Sequence, residues 1–330
     1  MRRRTLMTAL AGAAAWPAPG FAQSGNGPNP ASPRRIAVLM GVKQGDPEGE
    51  GRFDALRNGL AERGWIDGKT AKLDVQWAGG DLARIQTLVS EIIAAGPDII
   101  VANGTAVTSA VHQATKTIPV VFVLAADPVG LGYIESLGRP GGNMTGFTFF
   151  DPPLVGKWLQ LLKEAAPAVA TTNLLFNPGT AGFYYKFFEG LPGLGTYIKL
   201  APVRDVAEVE SLLAEFAKSP SASLIVGADP FNVVHGREIV ALAERFRLPA
   251  IYIYRQLALD GGLMAYGPDT FDAFYQTAGY VDRVLHGAKP ADLPAQAPTK
   301  YNFIVNAGTA RKLGLTLPPS LLARADEVIE

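Results

Sequence analysis

Small polar residues interrupt the apolar pattern of the sequence where a strand-like run gives way to a helix-like one. In the stretch PDIIVANGTAVTSAVHQ (97–113), the apolar run ends at Asn103, Gly104 and Thr105. The amino end of a helix carries unpaired N–H groups and about half a positive charge, which suits a carboxylate. Gly104 lets the backbone approach a ligand closely, and Thr105 adds a hydroxyl donor. The stretch therefore predicts a site for an anionic group, with the alternative that Asn103 or Thr105 only caps the helix.

Polar residues also follow other apolar runs, and the carboxyl ends of strands in a parallel α/β sheet are where ligands bind. These residues include Asp127, Asn177, Asp229 and Arg255. A buried carboxylate needs a cationic partner, so Asp229 is a candidate to receive a ligand ammonium group. The guanidinium of Arg255 is an alternative anchor for a carboxylate. For Asp127 and Asp229, which both precede proline, the alternative is that they only shape turns.

Aromatic residues concentrate near the same loops. Phe149 and Phe150 follow one apolar run, Tyr184 lies in the segment 183–185, and Phe231 and Tyr254 follow two later runs. Walls of aromatic rings suit an apolar or planar ligand, whereas ordinary core packing is the alternative. The candidate ligand-binding residues are therefore Asn103, Gly104, Thr105, Asp127, Phe149, Asn177, Tyr184, Asp229, Phe231, Tyr254 and Arg255.

Sequence motifs of enzymes and cofactor sites are absent. The sequence has neither a G-x-S-x-G nucleophile motif nor a G-x-G-x-x-G dinucleotide fingerprint after its first strand-like run. GWIDGKT (64–70) is one residue too short between its glycines for a phosphate-binding P-loop, so it predicts a helix-to-strand turn. His112, His235 and His286 lack the spacing of metal ligands. We therefore expect no catalytic residue, no metal site and no cofactor.

The composition is that of a globular protein without cysteine chemistry. The 330 residues include 30 basic and 30 acidic ones, 48% are hydrophobic, and there is no cysteine. A formal charge of zero provides no global field for nucleic acid. The absence of cysteine excludes disulfides, thiol catalysis and thiolate metal sites.

The first residues have the pattern of an export signal. Three arginines at positions 2–4 precede an apolar run of small residues, and the small residues up to Ala22 fit a cleavage site. The arginines also loosely fit a twin-arginine signal, so the export route stays open. We expect a signal peptide over 1–22 and a flexible linker over 23–33. The mature protein is expected in the periplasm, freely soluble because no cysteine is available for lipid attachment.

From Arg35 onward, short apolar runs alternate with helical periods, which is typical of βαβ units around a parallel sheet. Residues 99–123 and 224–254 repeat the order of strand, polar turn, helix and second strand. This repeat predicts two α/β lobes, although any βαβ protein shares the order. We expect a first lobe of residues 34–149 plus 264–297 and a second lobe of residues 150–263 plus 298–330.

Two local patterns give more detailed predictions. GRFDALRNGLAERGW (51–65) has a helical period that turns Phe53, Leu56, Leu60 and Trp65 inward. Residues 300–306 predict a strand that crosses between the lobes, and the Leu- and Pro-rich residues after it predict a short helical region.

With these residues in place, the chain resembles the tryptophan/tyrosine-type substrate-binding proteins of ABC transporters. The resemblance runs in order from residue 35 to residue 330 and includes IIVANGTAV, IPVVFVLAADPVG, SLGRPGGNMTGF, RLPAIYIYR and GGLMAYGPD. It implies a type I periplasmic-binding fold of class α/β, in which three crossovers join two parallel-sheet lobes around a closing cleft. It also implies that the ligand carboxylate lies at Gly104-Thr105, with the Asp127 loop at the first-lobe edge of the cleft and the Asp229 loop at the second.

The function implied by the resemblance is non-catalytic. A monomeric periplasmic receptor would deliver a small carboxylated solute to an inner-membrane ABC permease. The solute would be an aromatic or other apolar amino acid, or an aromatic carboxylate. Two alternatives stay open: a sensor module that presents its ligand to a membrane receptor, and an enzyme on a doubly wound scaffold. EGLPGLGTYIKL (189–200) departs from the family pattern because Pro192 and nearby glycines shorten a helix, so the resemblance does not fix the ligand.

Overall fold

Two β-sheets divide the chain into two lobes. A computed structural model describes residues 32–149, 152–189 and 197–330. The expected signal peptide, nearly all of the expected linker, Phe150 and most of the departing 189–196 segment lie outside the described residues. Both sheets are parallel apart from one antiparallel pair of strands. This is the two-lobed α/β architecture that the sequence predicts.

The first lobe is a five-stranded parallel sheet with helices on both faces. Its central strands, at residues 99–103 and 120–125, are buried apolar runs, as expected for strands that are covered on both sides. The elements are β1 (Arg34–Met40), α1 (Pro47–Glu62), β2 (Ala71–Trp77), α2 (Leu82–Ala95), β3 (Ile99–Asn103), α3 (Thr105–Ala114), β4 (Val120–Ala125), β5 (Met144–Thr148) and α11 (Thr270–Leu285). The strand order is β2-β1-β3-β4-β5.

The second lobe is a seven-stranded sheet. Its elements are α4 (Pro152–Ala165), β6 (Thr171–Phe176), α5 (Pro178–Ala181), α6 (Phe183–Glu189), β7 (Ile198–Pro202), α7 (Val206–Phe216), β8 (Ala222–Val226), α8 (Pro230–Val234), α9 (Gly236–Arg245), β9 (Ala250–Tyr252), α10 (Arg255–Leu259), β10 (Met264–Pro268), β11 (Tyr301–Asn306), α12 (Ala307–Leu313), α13 (Pro319–Leu322) and β12 (Glu327–Ile329). The strand order is β12-β11-β10-β9-β8-β6-β7.

Helix α1 packs against α11, although more than 200 residues separate them in sequence. Leu56 and Leu60 are fully buried and Trp65 nearly so, as their spacing predicts, while Phe53 is only partly buried. The Trp65 indole donates to Asp282 Oδ1 at 2.9 Å. A Cβ on Gly59 would lie 2.9 Å from both Ala278 Cβ and Tyr275 O, so glycine permits this close approach of the two helices. Helix α11 thus belongs to the first lobe despite its late position in the chain.

The chain passes between the lobes three times within the described residues: after β5, between β10 and α11, and between α11 and β11. One predicted boundary is wrong by a strand. The predicted first lobe includes Met264–Pro268, yet this strand pairs with β9 and β11 of the second sheet. The expected helical region at the chain end exists as α12 and α13, and it is followed by the unpredicted strand β12, which pairs with β11.

Helix starts around the cleft differ in how they are capped. Asp46 Oδ1 accepts from Gly49 N at 2.8 Å and begins α1 at Pro47, one turn before the predicted start. By contrast, α3 follows Gly104 and has no side-chain cap. Gly104 has φ +85° and ψ 164°, a conformation that favours glycine. Neither Asn103 nor Thr105 therefore caps this helix.

Candidate functional site

A small cavity lies between the carboxyl ends of the strands of the two sheets. It encloses about 30 Å³ and is lined from the first lobe by the start of α3 and from the second by the start of α8. Six of the eleven predicted residues line it: Asn103, Gly104, Thr105, Phe149, Asp229 and Tyr254. Sequence reasoning missed three further polar or aromatic lining residues, which are Arg52, Thr180 and Phe183.

The first-lobe wall is formed by the loop from β3 to α3. Asn103 Oδ1 accepts from Gly41 N at 3.3 Å, which ties this loop to the end of β1. Thr105 Oγ1 accepts from Ala126 N at 2.9 Å, which ties it to the end of β4. The Thr105 hydroxyl proton stays available to donate. The start of α3 thus offers an uncapped helix turn beside a positioned hydroxyl group.

Among the described residues that line this cavity, Arg52 of α1 is the only cation. Its side chain is 2% exposed, and its Nη2 lies 3.0 Å from Glu48 Oε1. Glu48 Oε1 also accepts from Thr270 Oγ1 at 2.6 Å. Arg52 Nε has no hydrogen-bond partner within the part of the chain that the structure describes. The helical spacing does contain a signal for Arg52: Glu48, Arg52, Leu56 and Leu60 follow one another at intervals of four, on one face of the helix.

Asp229 forms the opposite wall and is fully buried. Its carboxylate accepts from the Thr180 hydroxyl, from Asn177 N and, at 2.9 Å, from Phe231 N as the cap of α8. Burial raises the pKa of Asp229 to about 6, and these three hydrogen bonds work against the rise. At pH 7 a carboxyl group with this pKa is mostly ionised, and a bound cation would favour the ionised form further.

An aromatic wall joins the two sides. Phe149, after β5, stacks on Tyr254 of the second lobe with ring centroids 5.6 Å apart and planes at 20°. The Arg52 guanidinium carbon lies 5.0 Å from the centroid of the same Tyr254 ring. Burial also raises the pKa of the Tyr254 hydroxyl, so Tyr254 is neutral at physiological pH. The ring stack gives the cavity an apolar wall, and Arg52 and Asp229 are the charged side chains among its described lining residues.

A larger outer chamber of about 410 Å³ adjoins the cavity. Tyr254 and Val233 line both spaces. The outer chamber is lined by polar residues of both lobes, among them Lys43, Asp46, Glu48, Arg237 and Asp260. Ligand sites commonly occupy about 300–1,000 Å³, so the outer chamber has the volume that the inner cavity lacks.

The lobes also touch at a second place along the cleft. Lys186 Nζ of α6 donates to Gly130 O, in the loop after β4. Because this contact and the Phe149–Tyr254 stack hold the lobes together, we refer to the described arrangement as closed.

Comparison with known proteins places the chain in a family. The model for ABC transporter substrate binding proteins matches residues 36–329. The chain belongs to this substrate-binding protein family. It is 26% identical over 263 residues to a tyrosine-binding protein of Clostridioides difficile (strain R20291), a match that covers 78% of this chain and 74% of that protein.

Solved structures show the same fold. A conserved domain protein from Vibrio cholerae superposes with a TM-score of 0.82, and an ABC domain from Streptococcus pneumonia in complex with L-Trp superposes with 0.81. Each is 26% identical, and each match covers 90% of this chain and 100% of the other. A solute-binding protein from Agrobacterium vitis with bound allitol, 15% identical with a TM-score of 0.58, shares the fold over 85% of this chain and 98% of its own.

Two predicted residues of this substrate-binding protein lie outside the cavity and make contacts elsewhere. Asp127 has φ +39°, and its Oδ1 accepts from Gly130 N at 2.9 Å, so it shapes the turn after β4. Arg255 pairs with Glu327 of β12 and does not line the cavity. The turn was the alternative interpretation of Asp127, whereas the anchor role predicted for Arg255 has no support in its position.

Three more predicted residues form the layer behind the second-lobe wall. Asn177 caps α5 by accepting from Gly179 N at 2.8 Å, and it presents its backbone N–H to Asp229. Tyr184 is fully buried, and its hydroxyl accepts from Ala228 N at 2.6 Å. Phe231 packs on His235 with ring centroids 4.7 Å apart. These residues hold the Asp229 loop in place and do not line the cavity.

The described residues contain no group of three or more His, Cys, Asp or Glu side chains arranged to hold a metal ion. Among the helices in the described ranges, none combines the length and apolar character that a membrane span needs.

Proposed function

We propose that the protein is the periplasmic solute-binding component of an ABC importer and that it binds a small carboxylated ligand between its lobes. The observation that carries this proposal is the arrangement of charge in the cavity. The uncapped start of α3 and the guanidinium of Arg52, which Glu48 engages in part, offer N–H donors from the first lobe, and the carboxylate of Asp229 lines the same cavity from the second. A zwitterion has charges that complement both walls.

Aromatic amino acids are the first candidates for the ligand. The Phe149–Tyr254 stack borders the charged groups with planar apolar surface, which suits an aromatic ring. The relatives support the same class: one is described as tyrosine-binding, and another was solved with L-Trp. Other apolar amino acids and aromatic carboxylates carry the same anionic group and belong to the same class of candidates.

Delivery to a permease would follow from closure of the lobes. A ligand that bridges Asp229 and the start of α3 stabilises the closed arrangement over an open one, because only closure brings both walls to it. The closed, ligand-bound monomer would then dock on an inner-membrane permease. The proposal requires no catalytic step, no cofactor and no metal.

A thermal-shift screen of the twenty amino acids and a set of aromatic carboxylates, followed by calorimetry, tests this proposal. Binding stabilises the folded state by about 2.7 kcal/mol when the ligand is at a hundredfold excess over Kd. We expect at least one aromatic amino acid to raise the melting temperature and to bind with 1:1 stoichiometry. No stabilisation by any member at millimolar concentration would contradict the proposed ligand class.

A further inference from the structure

Within the described part of the chain, Arg52 has a free hydrogen-bond donor that could bind an anionic group. A guanidinium carries five N–H donors in a planar fork and cannot lose its charge by deprotonation. The hydrogen bond from Nη2 to Glu48 engages one edge of the fork, and Nε is buried without a partner among the described residues. Buried donors are normally paired, and Arg52 lines the cavity, so its unpaired donor points to a group that binds there.

The surroundings of Arg52 fix where this group can lie. The Tyr254 ring covers the guanidinium 5.0 Å away, and Glu48 is itself held by Thr270 at the start of α11. The planar side chain is therefore held both by a ring and by an ion pair. The start of α3, which has no side-chain cap, lines the same cavity. Both features favour negative charge in this space.

We propose that Arg52 binds the carboxylate of the ligand, and that Glu48 and Thr270 position it. The inference rests on the proposed function and makes it more specific. The inner cavity of about 30 Å³ has room for the charged groups of an amino acid but not for its side chain, so the side chain of the ligand extends past Tyr254 and Val233 into the outer chamber. The site should therefore select carboxylic acids against the corresponding amides.

The competing explanation is that Arg52 is only a buried structural ion pair. The test must then separate a lost ligand contact from a loosened fold. Three matched acid and amide pairs serve as probes: L-tryptophan, L-tyrosine and 3-phenylpropanoate, each with its carboxamide. A structural role would weaken acid and amide alike, whereas a carboxylate contact would weaken the acid alone.

The variants are Arg52→Gln, Arg52→Lys and the double variant Glu48→Gln/Arg52→Gln. Arg52→Gln alone leaves the charge of Glu48 buried without its partner, which can impair folding, and the double variant removes that charge as well. Arg57→Gln is the matched control, because Arg57 lies on the same helix in an exposed pair with Asp54. Calorimetry should show that Arg52→Gln weakens binding of the acids at least about thirtyfold and that of the amides less than about threefold. The affinity of Arg52→Lys for the acids should lie between those of the wild-type protein and Arg52→Gln, since an ammonium group keeps the charge but not the planar pair of donors.

Each outcome decides a different point. The wild-type protein should bind each acid more tightly than its carboxamide. Loss of this acid preference in both Arg52→Gln and the double variant, with Arg57→Gln unchanged, supports the role of Arg52 as the carboxylate anchor. If the acids bind the wild-type protein and these variants keep the acid preference, the assignment of Arg52 is overturned while the proposed function stands. If none of the three acids binds the wild-type protein at millimolar concentration, both the ligand class of the proposed function and the anchor role are overturned.

Discussion

Phe149 and Tyr254 stack across the boundary between the lobes, with ring centroids 5.6 Å apart and 20° between the ring planes. Phe149 follows the last strand of the first sheet, and Tyr254 follows β9 of the second. The contact joins the two lobes in the arrangement described here. We expect it to form as the lobes close, so that closure completes the aromatic wall of the cleft.

Phe149→Leu should weaken ligand binding by about two- to tenfold, because an aromatic pair contributes about 0.5–1.5 kcal/mol beyond the area it buries. The closed arrangement loses this contribution and the open one does not. Calorimetry on the wild-type protein and the variant measures the change. Tyr197→Leu is the control, since Tyr197 is 61% exposed. Equal affinity in Phe149→Leu and the wild-type protein would contradict a role for the stack in closure.

Asp229 should make ligand binding depend on pH. Its pKa is raised to about 6 in the folded protein without ligand, and a bound ammonium group favours the ionised carboxylate. Affinity for an amino acid should therefore fall as the pH drops below 6, approaching tenfold per pH unit. Calorimetry from pH 5 to 7 tests this with L-phenylalanine and with 3-phenylpropanoate, which has no ammonium group. The same loss for both compounds would contradict the pairing of Asp229 with an ammonium group.

The contribution of Asp229 to the folding stability of the ligand-free protein should fall as the pH rises, whereas its contribution to ligand affinity rises. An aspartate normally has a pKa of about 3.9, so between pH 4 and 6 the folded state binds more protons here than the unfolded state. The stability that Asp229 contributes is thus present below pH 4 and is lost as the pH rises through 6, by about 3 kcal/mol. Urea unfolding at several pH values should show a smaller pH dependence in Asp229→Asn. An unchanged pH dependence in that variant would show that other groups cause it.

Much of the fold is predictable because the central strands of a buried parallel sheet are nearly continuous apolar runs. The runs that became β1, β3 and β4 are recognisable without any tertiary information. Strand β10 shows the limit: its residues predict a strand, but which sheet it joins depends on pairing with β9 and β11. Strand β12 has only three residues and exists through its pairing with β11, so no local pattern reveals it.

Replacement of two helical glycines by alanine should change the stability of the protein in opposite directions. Gly59→Ala places a Cβ 2.9 Å from Ala278 Cβ and should destabilise the α1–α11 contact by about 1–3 kcal/mol. Gly156→Ala in α4 meets nothing within 4 Å and should stabilise by up to about 1 kcal/mol, because alanine favours the helix. Denaturant unfolding of both variants gives the comparison. A stabilised Gly59→Ala would mean that α1 and α11 are not packed so closely.

The Lys186–Gly130 contact should slow the opening of the cleft. The hydrogen bond spans the lobes but is exposed, so its loss in Lys186→Met should increase the ligand dissociation rate only about two- to threefold. Stopped-flow displacement measures this rate. Lys218→Met, which removes a pair with Glu215 inside the second lobe, is the control. A dissociation rate equal to that of the control would show that Lys186 does not hold the lobes together.

The site is less predictable than the fold because its residues become neighbours only through packing. The loops of Gly104 and Asp229 could be located because they follow apolar strands, and both line the cavity. Arg255 has an equally suggestive position, but its partner Glu327 lies 72 residues away. Arg52 is not predictable as a site residue because a charged residue in a helix usually faces solvent. Its partner Glu48 is held by Thr270, which reaches Glu48 only because α11 packs against α1.

The central claim is that a ligand binds between the lobes and stabilises the closed arrangement, and a distance measurement across the cleft tests it most directly. The sequence has no cysteine, so Ser90→Cys in α2 and Ser211→Cys in α7, both exposed, can carry spin labels at two unique positions. Pulsed electron–electron double resonance then reports the distance between the two spin labels, one on each lobe, with and without a ligand that calorimetry has identified. We predict a broad distribution without ligand and, at saturation, a narrow one at the distance of the closed structure. A distribution that a saturating ligand leaves unchanged would contradict the claim.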